Sequence, residues 1–197
     1  ATGTRYENRD PRLKATLYLP GMTWGSADWN YGGSAASFST VYVLKYFNPA
    51  LGWSTSWDSG QDFYLIRYAE VLLSLAEAYI EKNQNLDEAV KLIDEVRQRA
   101  GMPTVEAVEG TGLSQEKLRE VVRHERRVEL AFEGLRLFDL YRWHTLKEAV
   151  DNINNEASTY KFAYEFRNYK GEQEYVWPIP QTELDSNPML TQNELWK

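Results

Sequence analysis

Glu125-Arg-Arg-Val-Glu-Leu-Ala-Phe-Glu133 is the stretch that decides the fold, together with Arg67-Tyr-Ala-Glu-Val-Leu-Leu73 earlier in the chain. Both stretches place charged side chains at helical spacing on faces that are otherwise apolar. Because an ion is costly to remove from water unless a partner compensates it, the pattern predicts ion pairs between packed helices. The residues that we expect in these structural ion pairs are Arg67, Arg97, Glu125, Glu129, Arg136 and Asp139.

A catalytic interpretation of the same acidic row is the weaker alternative. Glu125, Glu129 and Glu133 occupy consecutive turns of one predicted helix. A glycoside hydrolase needs two carboxylates that face each other across a cleft. Three acids on successive turns of a single helix are more typical of a structural or solvated row, so we predict a structural role and no enzyme activity.

Composition excludes several other classes of function. The net charge of −7 argues against a nucleic-acid partner, whose sites concentrate Lys and Arg. Cysteine is absent, which excludes disulfides and thiol chemistry. The two histidines, His124 and His144, form no metal-binding motif, and no glycine-rich phosphate loop is present. We therefore expect neither a metal nor a cofactor, and no apolar run approaches the roughly 18 residues of a membrane span.

Three zones differ in composition. We predict a loop-rich aromatic segment with short strands over residues 1–60, a four-helix repeat-like core over 61–150, and an extended tail packing on the core over 151–197. Within the first zone, apolar residues alternate from Leu13 to Leu19, which predicts a half-buried strand, and 40–47 is a second β-rich run.

The helices of the middle zone follow from capping and breaking residues. The first begins between Asp62 and Tyr68 and ends near Lys82. The second begins at an N-cap, Asn85, and ends at Gly101. The third extends from Ser114 to Gly134, and the fourth from Leu135 to about Val150, so that Gly134 would make a tight reversal.

The first two helices resemble one tetratricopeptide unit. The spacing of the apolar residues predicts one buried face on each helix. On the first helix these are Tyr68, Leu72, Leu75, Ala76 and Tyr79, and on the second Ala89, Ile93 and Val96. An ordinary amphipathic hairpin would show a similar pattern. One such unit cannot bury both of its apolar faces, since repeat proteins build their cores by stacking neighbours.

Several of these motifs resemble the SusD/RagB family in order along the chain. The matching pieces are Asp10-Pro-Arg-Leu13, Val43-Leu-Lys-Tyr46, Arg67-Tyr-Ala-Glu70, Val96-Arg-Gln-Arg-Ala-Gly-Met102, Val176-Trp-Pro-Ile-Pro180 and Asn187-Pro-Met-Leu-Thr-Gln-Asn193. The resemblance implies a mainly α fold of tetratricopeptide-like hairpins with long loop excursions and minor β. It also implies that the whole chain is the C-terminal region of such a protein.

The same resemblance implies the biological setting. SusD-like proteins are surface glycan-binding lipoproteins of Bacteroidetes outer membranes. By resemblance, this chain would bind an oligosaccharide or polysaccharide without cleaving it and deliver it to a SusC-like TonB-dependent transporter. Its membrane association would depend on an N-terminal lipid anchor that lies outside this sequence. A helical-repeat adaptor that binds a peptide on residues 61–150 is the main alternative.

The early aromatic residues are the candidate glycan-binding site. Sugar rings have weakly apolar C–H faces that stack on aromatic rings, and their hydroxyls need nearby hydrogen-bonding groups. The candidates are Trp24, Asp28, Trp29, Asn30, Tyr31, Trp53 and Trp57. The alternative is that these rings fold inward and hold a glycine-rich region together. The family motifs do not assign these positions.

Two further groups of aromatic residues have predicted structural roles. Trp177 and Trp196 flank the C-terminal tail and are expected to anchor it onto the helices, although they could instead form a protein contact surface. Arg142 and Trp143 follow Asp139 on one predicted helix, where we expect the indole to pack across an arginine plane.

Overall fold

The computed structural model describes residues 6–19, 42–48, 60–160 and 167–197, with the side chains of 157–160 excepted. The helices are α1 Arg12–Thr16, α2 Tyr68–Glu81, α3 Leu86–Arg99, α4 Val105–Glu109, α5 Gln115–Glu129, α6 Arg136–Arg142, α7 Leu146–Tyr160 and α8 Gln181–Ser186. Strands β1 Leu17–Tyr18 and β2 Tyr42–Val43 pair antiparallel, and 3-10 turns cover Glu172–Tyr175 and Glu194–Trp196. The chain divides into two compact units, Ala1–Leu135 and Arg136–Lys197.

The core of the first unit lies between α2, α3 and α5. Its buried apolar side chains come from all three helices, with α2 and α3 forming a helical hairpin. The turn between them contains two asparagines with left-handed backbone, Asn83 (φ 50°) and Asn85 (φ 52°). Asparagine tolerates this conformation better than most residues. Asn85 is the N-cap residue of α3 as predicted, but its side chain makes no capping hydrogen bond and its backbone shapes the turn.

The buried face of α2 differs from the predicted one. Leu72 and Ala76 are buried as expected, but Tyr68 and Leu75 are exposed, and the core is completed by Ala69, Leu73 and Ile80. The prediction was wrong because apolar residues occupy a broad, continuous arc around α2. Periodicity alone could not decide which of them packs against α3 and α5.

The predicted strand over Leu13–Leu19 is mostly a helix. Residues Arg12–Thr16 form α1, and only Leu17 and Tyr18 enter the strand. The local reason is the start of the segment, where Asp10 Oδ1 accepts a hydrogen bond from the Arg12 amide (2.9 Å) and Pro11 precedes the first turn. The second β-rich run contributes Tyr42 and Val43, paired with Tyr18 and Leu17 respectively.

The end of α3 and the start of α5 follow the predicted signals. Gly101 has a left-handed backbone (φ 73°) just after the last turn of α3. The Ser114 side chain accepts a hydrogen bond from the Lys117 amide (3.2 Å), as an N-cap should. Both boundaries are confirmed.

The predicted third and fourth helices have different limits in the structure. Helix α5 ends at Glu129, and a non-helical turn follows with positive φ at Phe132 (64°) and Gly134 (81°). The predicted fourth helix is two helices, α6 and α7, separated at His144 (φ 58°). Because α7 continues to Tyr160, part of the predicted tail is helical. The boundary between the two compact units falls at 135/136. The predicted division into three zones stays a prediction.

The second unit has a small core and a tail that is held by hydrogen bonds. Leu140, Leu146 and Val150 are buried together beneath Tyr141 and Tyr175. The main chain of Ile179 exchanges two hydrogen bonds of 2.9 Å each with the Gln192 side chain, which closes the Pro-Ile-Pro segment onto the residues that follow it.

The two tail tryptophans have different surroundings. Trp196 Nε1 donates to the Val176 carbonyl (2.9 Å), whereas Trp177 is 80% exposed and does not anchor the tail. Of the helices within the described ranges, none is long and apolar enough to cross a membrane.

Candidate functional site

A group of buried and partly buried charged side chains surrounds the C-terminal end of α5. We call it the carboxylate cluster, and it is made of four carboxylates and five cations. They are Asp10, Glu125, Glu129 and Glu133 with Arg12, Lys45, Arg67, Arg97 and Arg99. Its three glutamates are all buried, although they lie at intervals of only four residues along the chain.

Glu125 connects the start of the chain with α3. Its Oε1 accepts a hydrogen bond from Arg12 Nη1 (2.5 Å), and its Oε2 accepts one from Arg97 Nη1 (3.1 Å). Arg97 Nε also donates to the Pro103 carbonyl (2.7 Å) just beyond α3. One buried carboxylate therefore holds together three parts of the chain that are distant in sequence.

Glu129 has the largest number of arginine partners. Arg67 Nη1 donates to its Oε1 (2.6 Å), and Arg12 Nη1 donates to its Oε2 (2.9 Å). Arg99 Nη2 lies within hydrogen-bond distance of both oxygens (2.7 and 2.9 Å). Both oxygens are thus satisfied by charged donors, which are the strongest hydrogen-bond partners that a carboxylate can have.

Two cations also satisfy the open end of α5. A helix leaves its last carbonyls without backbone donors, and positive charge there is favourable. Lys45 Nζ donates to the carbonyls of Glu129 and Ala131 (3.0 Å each) and pairs with the Glu133 carboxylate. Arg67 Nη2 donates to the Glu129 carbonyl (2.7 Å), and Arg67 Nε donates to Glu133 Oε2 (2.7 Å).

The pKa directions agree with permanent ion pairs. Burial alone would raise the pKa of Glu129, but hydrogen bonds from Arg12 and Arg67, with the charges of Arg67 and Arg99, bring it below its usual value. Burial would likewise lower the pKa of Arg12, yet its bonds to Asp10, Glu125 and Glu129 raise that pKa. The pKa of Arg67 is raised for the same reason by Glu133 and Glu129. Near neutral pH the cluster therefore contains ionised partners on both sides.

This arrangement does not suit hydrolysis. A general acid must hold a proton near neutral pH and reach the substrate, whereas Glu129 has a lowered pKa and is enclosed by arginines. Glu125 and Glu133 are likewise buried against cations. The geometry supports the structural role that the sequence predicts for this row. Within the described ranges, no group of acidic or histidine residues could hold a metal ion.

The cluster lies at the ends of the aromatic segments. Arg12 precedes residues 20–41, and Lys45 and Arg67 flank residues 49–59. At the same ends, Tyr18 and Leu19 are buried and the Tyr46 ring stacks on Phe63 (4.9 Å between centroids). The cluster and these contacts therefore hold residues on either side of both segments. The predicted glycan-binding residues themselves lie outside the described residues, and they are Trp24, Asp28, Trp29, Asn30, Tyr31, Trp53 and Trp57.

Four of the six predicted ion-pair residues meet in this cluster, namely Arg67, Arg97, Glu125 and Glu129. Arg136 and Asp139 belong to the second unit. There Asp139 pairs with Arg142 (2.8 Å), and the guanidinium groups of Arg142 and Arg136 lie 4.8 and 5.8 Å from the Trp143 ring centre. The predicted packing of arginine against this indole is confirmed.

Sequence reasoning missed three cations of the cluster, Arg12, Lys45 and Arg99. Arg12 and Glu125 are 113 residues apart, so no helical spacing connects them. Arg99 extends from an exposed position on α3. All three lie in the family motifs, which could have drawn attention to them, but those motifs assign no partner.

A second, exposed polar group lies in the second unit. His144 Nε2 is 2.7 Å from Glu172 Oε2, and the His144 ring stacks on Tyr175 at 3.9 Å between centroids. Tyr169 donates its hydroxyl hydrogen to Glu172 Oε1 (2.9 Å). Hydrogen bonds from Tyr169 and His144 lower the pKa of Glu172. The group joins the break between α6 and α7 to the following 3-10 turn.

A helical-repeat scaffold braced by buried ion pairs is the class of protein that these features define, and comparison with known proteins identifies the family. The SusD family model matches residues 1–196, so the chain belongs to this family. SusD-like protein P2 of Formosa agariphila is 33% identical over 156 residues, which are 77% of this chain and 29% of that protein.

Solved structures agree with this assignment. A SusD-like carbohydrate-binding protein from Bacteroides fragilis superposes with a TM-score of 0.68 at 32% identity, over 95% of this chain and 42% of that one. Surface glycan-binding protein A from Bacteroides uniformis superposes with a TM-score of 0.61 at 27% sequence identity, over 98% of this chain and 39% of that one. The predicted mainly α, tetratricopeptide-like fold with minor β is confirmed. The chain spans less than half the length of each of these relatives.

Proposed function

We propose that this chain is part of a non-catalytic protein that binds oligosaccharides or polysaccharides at the bacterial cell surface. It would hand them to a SusC-like TonB-dependent transporter in the outer membrane. The observation that carries the proposal is membership of the SusD family, together with two similar structures described by name as carbohydrate-binding and surface glycan-binding.

The proposed mechanism is recognition by stacking on a rigid frame. Aromatic rings among Trp24, Trp29, Tyr31, Trp53 and Trp57 would stack on sugar faces, and Asp28 and Asn30 would hydrogen-bond to hydroxyls. The carboxylate cluster supports this proposal because it binds Arg12, Lys45 and Arg67, which lie on either side of the segments that carry these residues. A preorganised frame lowers the entropic cost of ordering the site upon binding.

Calorimetric titration of the full-length polypeptide with a panel of soluble polysaccharides tests binding. We expect at least one glycan to bind, and alanine at one or more of Trp24, Trp29, Trp53 and Trp57 to weaken it at least about tenfold, or ~1.4 kcal/mol. Trp177→Ala is the matched control, because Trp177 is an exposed tryptophan outside the candidate set.

Each alternative to this mechanism has its own result in that experiment. If all four substitutions leave glycan binding intact, the stacking mechanism is wrong. A ligand that is a peptide held by residues 61–150 would favour the adaptor alternative. Release of reducing sugar that disappears in Glu125→Gln would favour a hydrolase.

Delivery to a transporter and surface anchoring are separate parts of the proposal. The full-length protein would be held on the outer face of the outer membrane by an N-terminal lipid anchor. Affinity purification from the native membrane should recover a TonB-dependent transporter in stoichiometric amount. Protease added to intact cells should degrade the protein. Purification of the protein without such a transporter would contradict delivery, and resistance to external protease would contradict surface anchoring. Neither result would contradict glycan binding.

A further inference from the structure

A cleft of about 290 Å³ lies at the start of the described chain, next to α1. Its lining extends from Tyr6 to Lys14 and includes Asn8, whose backbone is left-handed (φ 53°). Ligand pockets in proteins begin at about 300 Å³, so this cleft has room for a small group such as a single sugar ring. None of the candidate glycan-binding residues named above belongs to this part of the sequence.

Two cations that have no partner among the described residues line the cleft. Arg9 and Lys14 are both exposed, and neither side chain forms an ion pair or a hydrogen bond with another described residue. Their charges contrast with the net charge of −7 for the chain as a whole. A guanidinium and an ammonium group in one small cleft offer several charged donors and no acceptor, which suits an anion.

The carboxylate in the described lining, Asp10, does not neutralise these two charges. Its Oδ1 accepts hydrogen bonds from the amide and the Nε of Arg12 (2.9 Å each), and its Oδ2 accepts one from Arg12 Nη2 (2.6 Å). These bonds place Asp10 in the carboxylate cluster, where five cations already face four carboxylates. Glu7 is exposed nearby in the sequence but does not line the cleft. The cleft therefore keeps a net positive charge from Arg9 and Lys14.

The rest of the lining suits a sugar ring. Pro11 and Leu13 supply apolar surface and Tyr6 supplies an aromatic ring, which are the groups that the weakly apolar C–H face of a sugar can contact. Asn8 brings an amide that can both donate to hydroxyl groups and accept from them. Apolar surface with a few polar groups is typical of small-molecule sites. Together with two cations, it indicates a sugar that carries a negative charge.

We propose that this cleft binds an anionic group of an acidic glycan, either the carboxylate of a uronic acid or a sulfate ester, through Arg9 and Lys14. The inference rests on the proposed function and narrows its ligand to one chemical class. Arg9 offers a planar guanidinium that can pair with two oxygens of either group, and Lys14 offers a compact point charge. Because both side chains are exposed, added salt should weaken the interaction.

Calorimetric titration of the full-length polypeptide with matched pairs of polymers tests this inference. Polygalacturonate is compared with its methyl ester, and dextran sulfate with dextran, so that the members of each pair differ in charge. We expect at least one anionic polymer to bind about tenfold more tightly than its uncharged counterpart, and Arg9→Gln/Lys14→Met to remove most of that difference. Lys82→Met/Arg127→Gln is the matched control, because it removes the same charge from exposed positions outside the cleft. The pair that shows the difference distinguishes a carboxylate from a sulfate.

Acetylation of Lys14 in the wild-type polypeptide locates the bound anion without any substitution. With the anionic polymer at about ten times its dissociation constant, the rate at Lys14 should fall about tenfold, as the free fraction of the site does. Lys82 is exposed and lies outside the cleft, so its rate should stay unchanged in the same sample. Mass spectrometry of the two peptides measures both rates.

The outcomes separate this inference from the proposed function. Equal affinity for charged and uncharged polymers, equal losses in the two double variants, or unprotected Lys14 would overturn the cleft as an anion site. A neutral glycan that binds through the candidate tryptophans would then still support the proposed function. Protection of Lys14 by the monosaccharide galacturonate, with no polysaccharide bound, would support the cleft and contradict the proposed function.

Discussion

The carboxylate cluster of the first unit and the His144–Glu172 group of the second use the same chemistry in opposite surroundings. In the cluster, Glu129 is buried and accepts hydrogen bonds from three arginines. In the second unit, Glu172 pairs with one histidine and one tyrosine in solvent. Burial decides what each pair contributes, because a buried ion left without its partner is far more costly than an exposed one. The contribution of an ion pair to stability therefore cannot be judged from its distance alone, since 2.7 Å contacts occur in both regions.

Glu129→Ala should have the largest effect on stability. The substitution leaves Arg12 and Arg67 partly buried with fewer partners, and removal of one partner from a buried charge pair typically costs about 3–5 kcal/mol. The free energy of unfolding from urea denaturation at pH 7 measures this loss. Glu183→Ala, at an exposed glutamate of α8, is the control and should change little. A loss for Glu129→Ala no greater than that of the control would contradict the comparison.

Acid should weaken the first unit through the same residue. The pKa of Glu129 is lower in the folded state than its usual value near 4.5, so its contribution is complete above that value and is lost as the pH falls through the folded pKa. We therefore expect the free energy of unfolding to decrease below roughly pH 4.5, and to decrease less steeply in Glu129→Gln. A urea series between pH 3 and 7 on both proteins measures the two slopes. Identical slopes would show that Glu129 does not titrate with folding.

Lys45→Met should have an intermediate effect. Its ammonium group donates to the Glu129 and Ala131 carbonyls and pairs with Glu133, yet Arg67 still serves Glu133 in the variant. Loss of hydrogen bonds from a charged donor suggests about 1–3 kcal/mol. Thermal and urea unfolding measure it, with Lys14→Met at an exposed lysine of α1 as the matched control. An unchanged stability would mean that α5 does not need this cation at its end.

Glu172→Gln should have the smallest effect. The carboxylate is exposed, and the Tyr175 hydroxyl still accepts a hydrogen bond from the Leu146 amide (3.0 Å) in the variant. We expect the unfolding midpoint to agree with the wild type within measurement error, and the ring signals of His144 in NMR spectra to shift because its partner has changed. A clear drop in the midpoint would show that this exposed pair contributes to stability as much as the buried cluster does, and would contradict the comparison.

Local signals in the sequence predicted helices better than strands or long-range contacts. The Ser114 cap and the Gly101 stop are confirmed because each depends on atoms a few residues apart. The strand over Leu13–Leu19 was wrong because its alternating pattern does not report the side-chain contacts of Arg12, which bonds residues more than 100 positions away. The single predicted fourth helix was wrong because the His144 break has no glycine or proline to mark it.

The candidate site was partly predictable for the same reason. Helical spacing indicated that Glu125 and Glu129 need buried partners, and Arg97 could be proposed because it lies on a neighbouring helix. Arg12 and Lys45 could not be paired from sequence, since only the folded chain brings them to α5. The candidate glycan-binding residues stay a prediction from composition.

The two ends of α5 are expected to form at different times during folding. The Ser114 end needs only an amide three residues away. The Glu129 end receives its donors from Arg67 and Lys45, which are 62 and 84 residues distant. Long-range contacts of this kind form slowly because the intervening chain must be closed first. In a pulsed amide-exchange experiment during refolding, we therefore expect the amides of the first turns of α5 to become protected early and those of its last turn late. Protection of this helix would then spread from its N-terminal end to its C-terminal end.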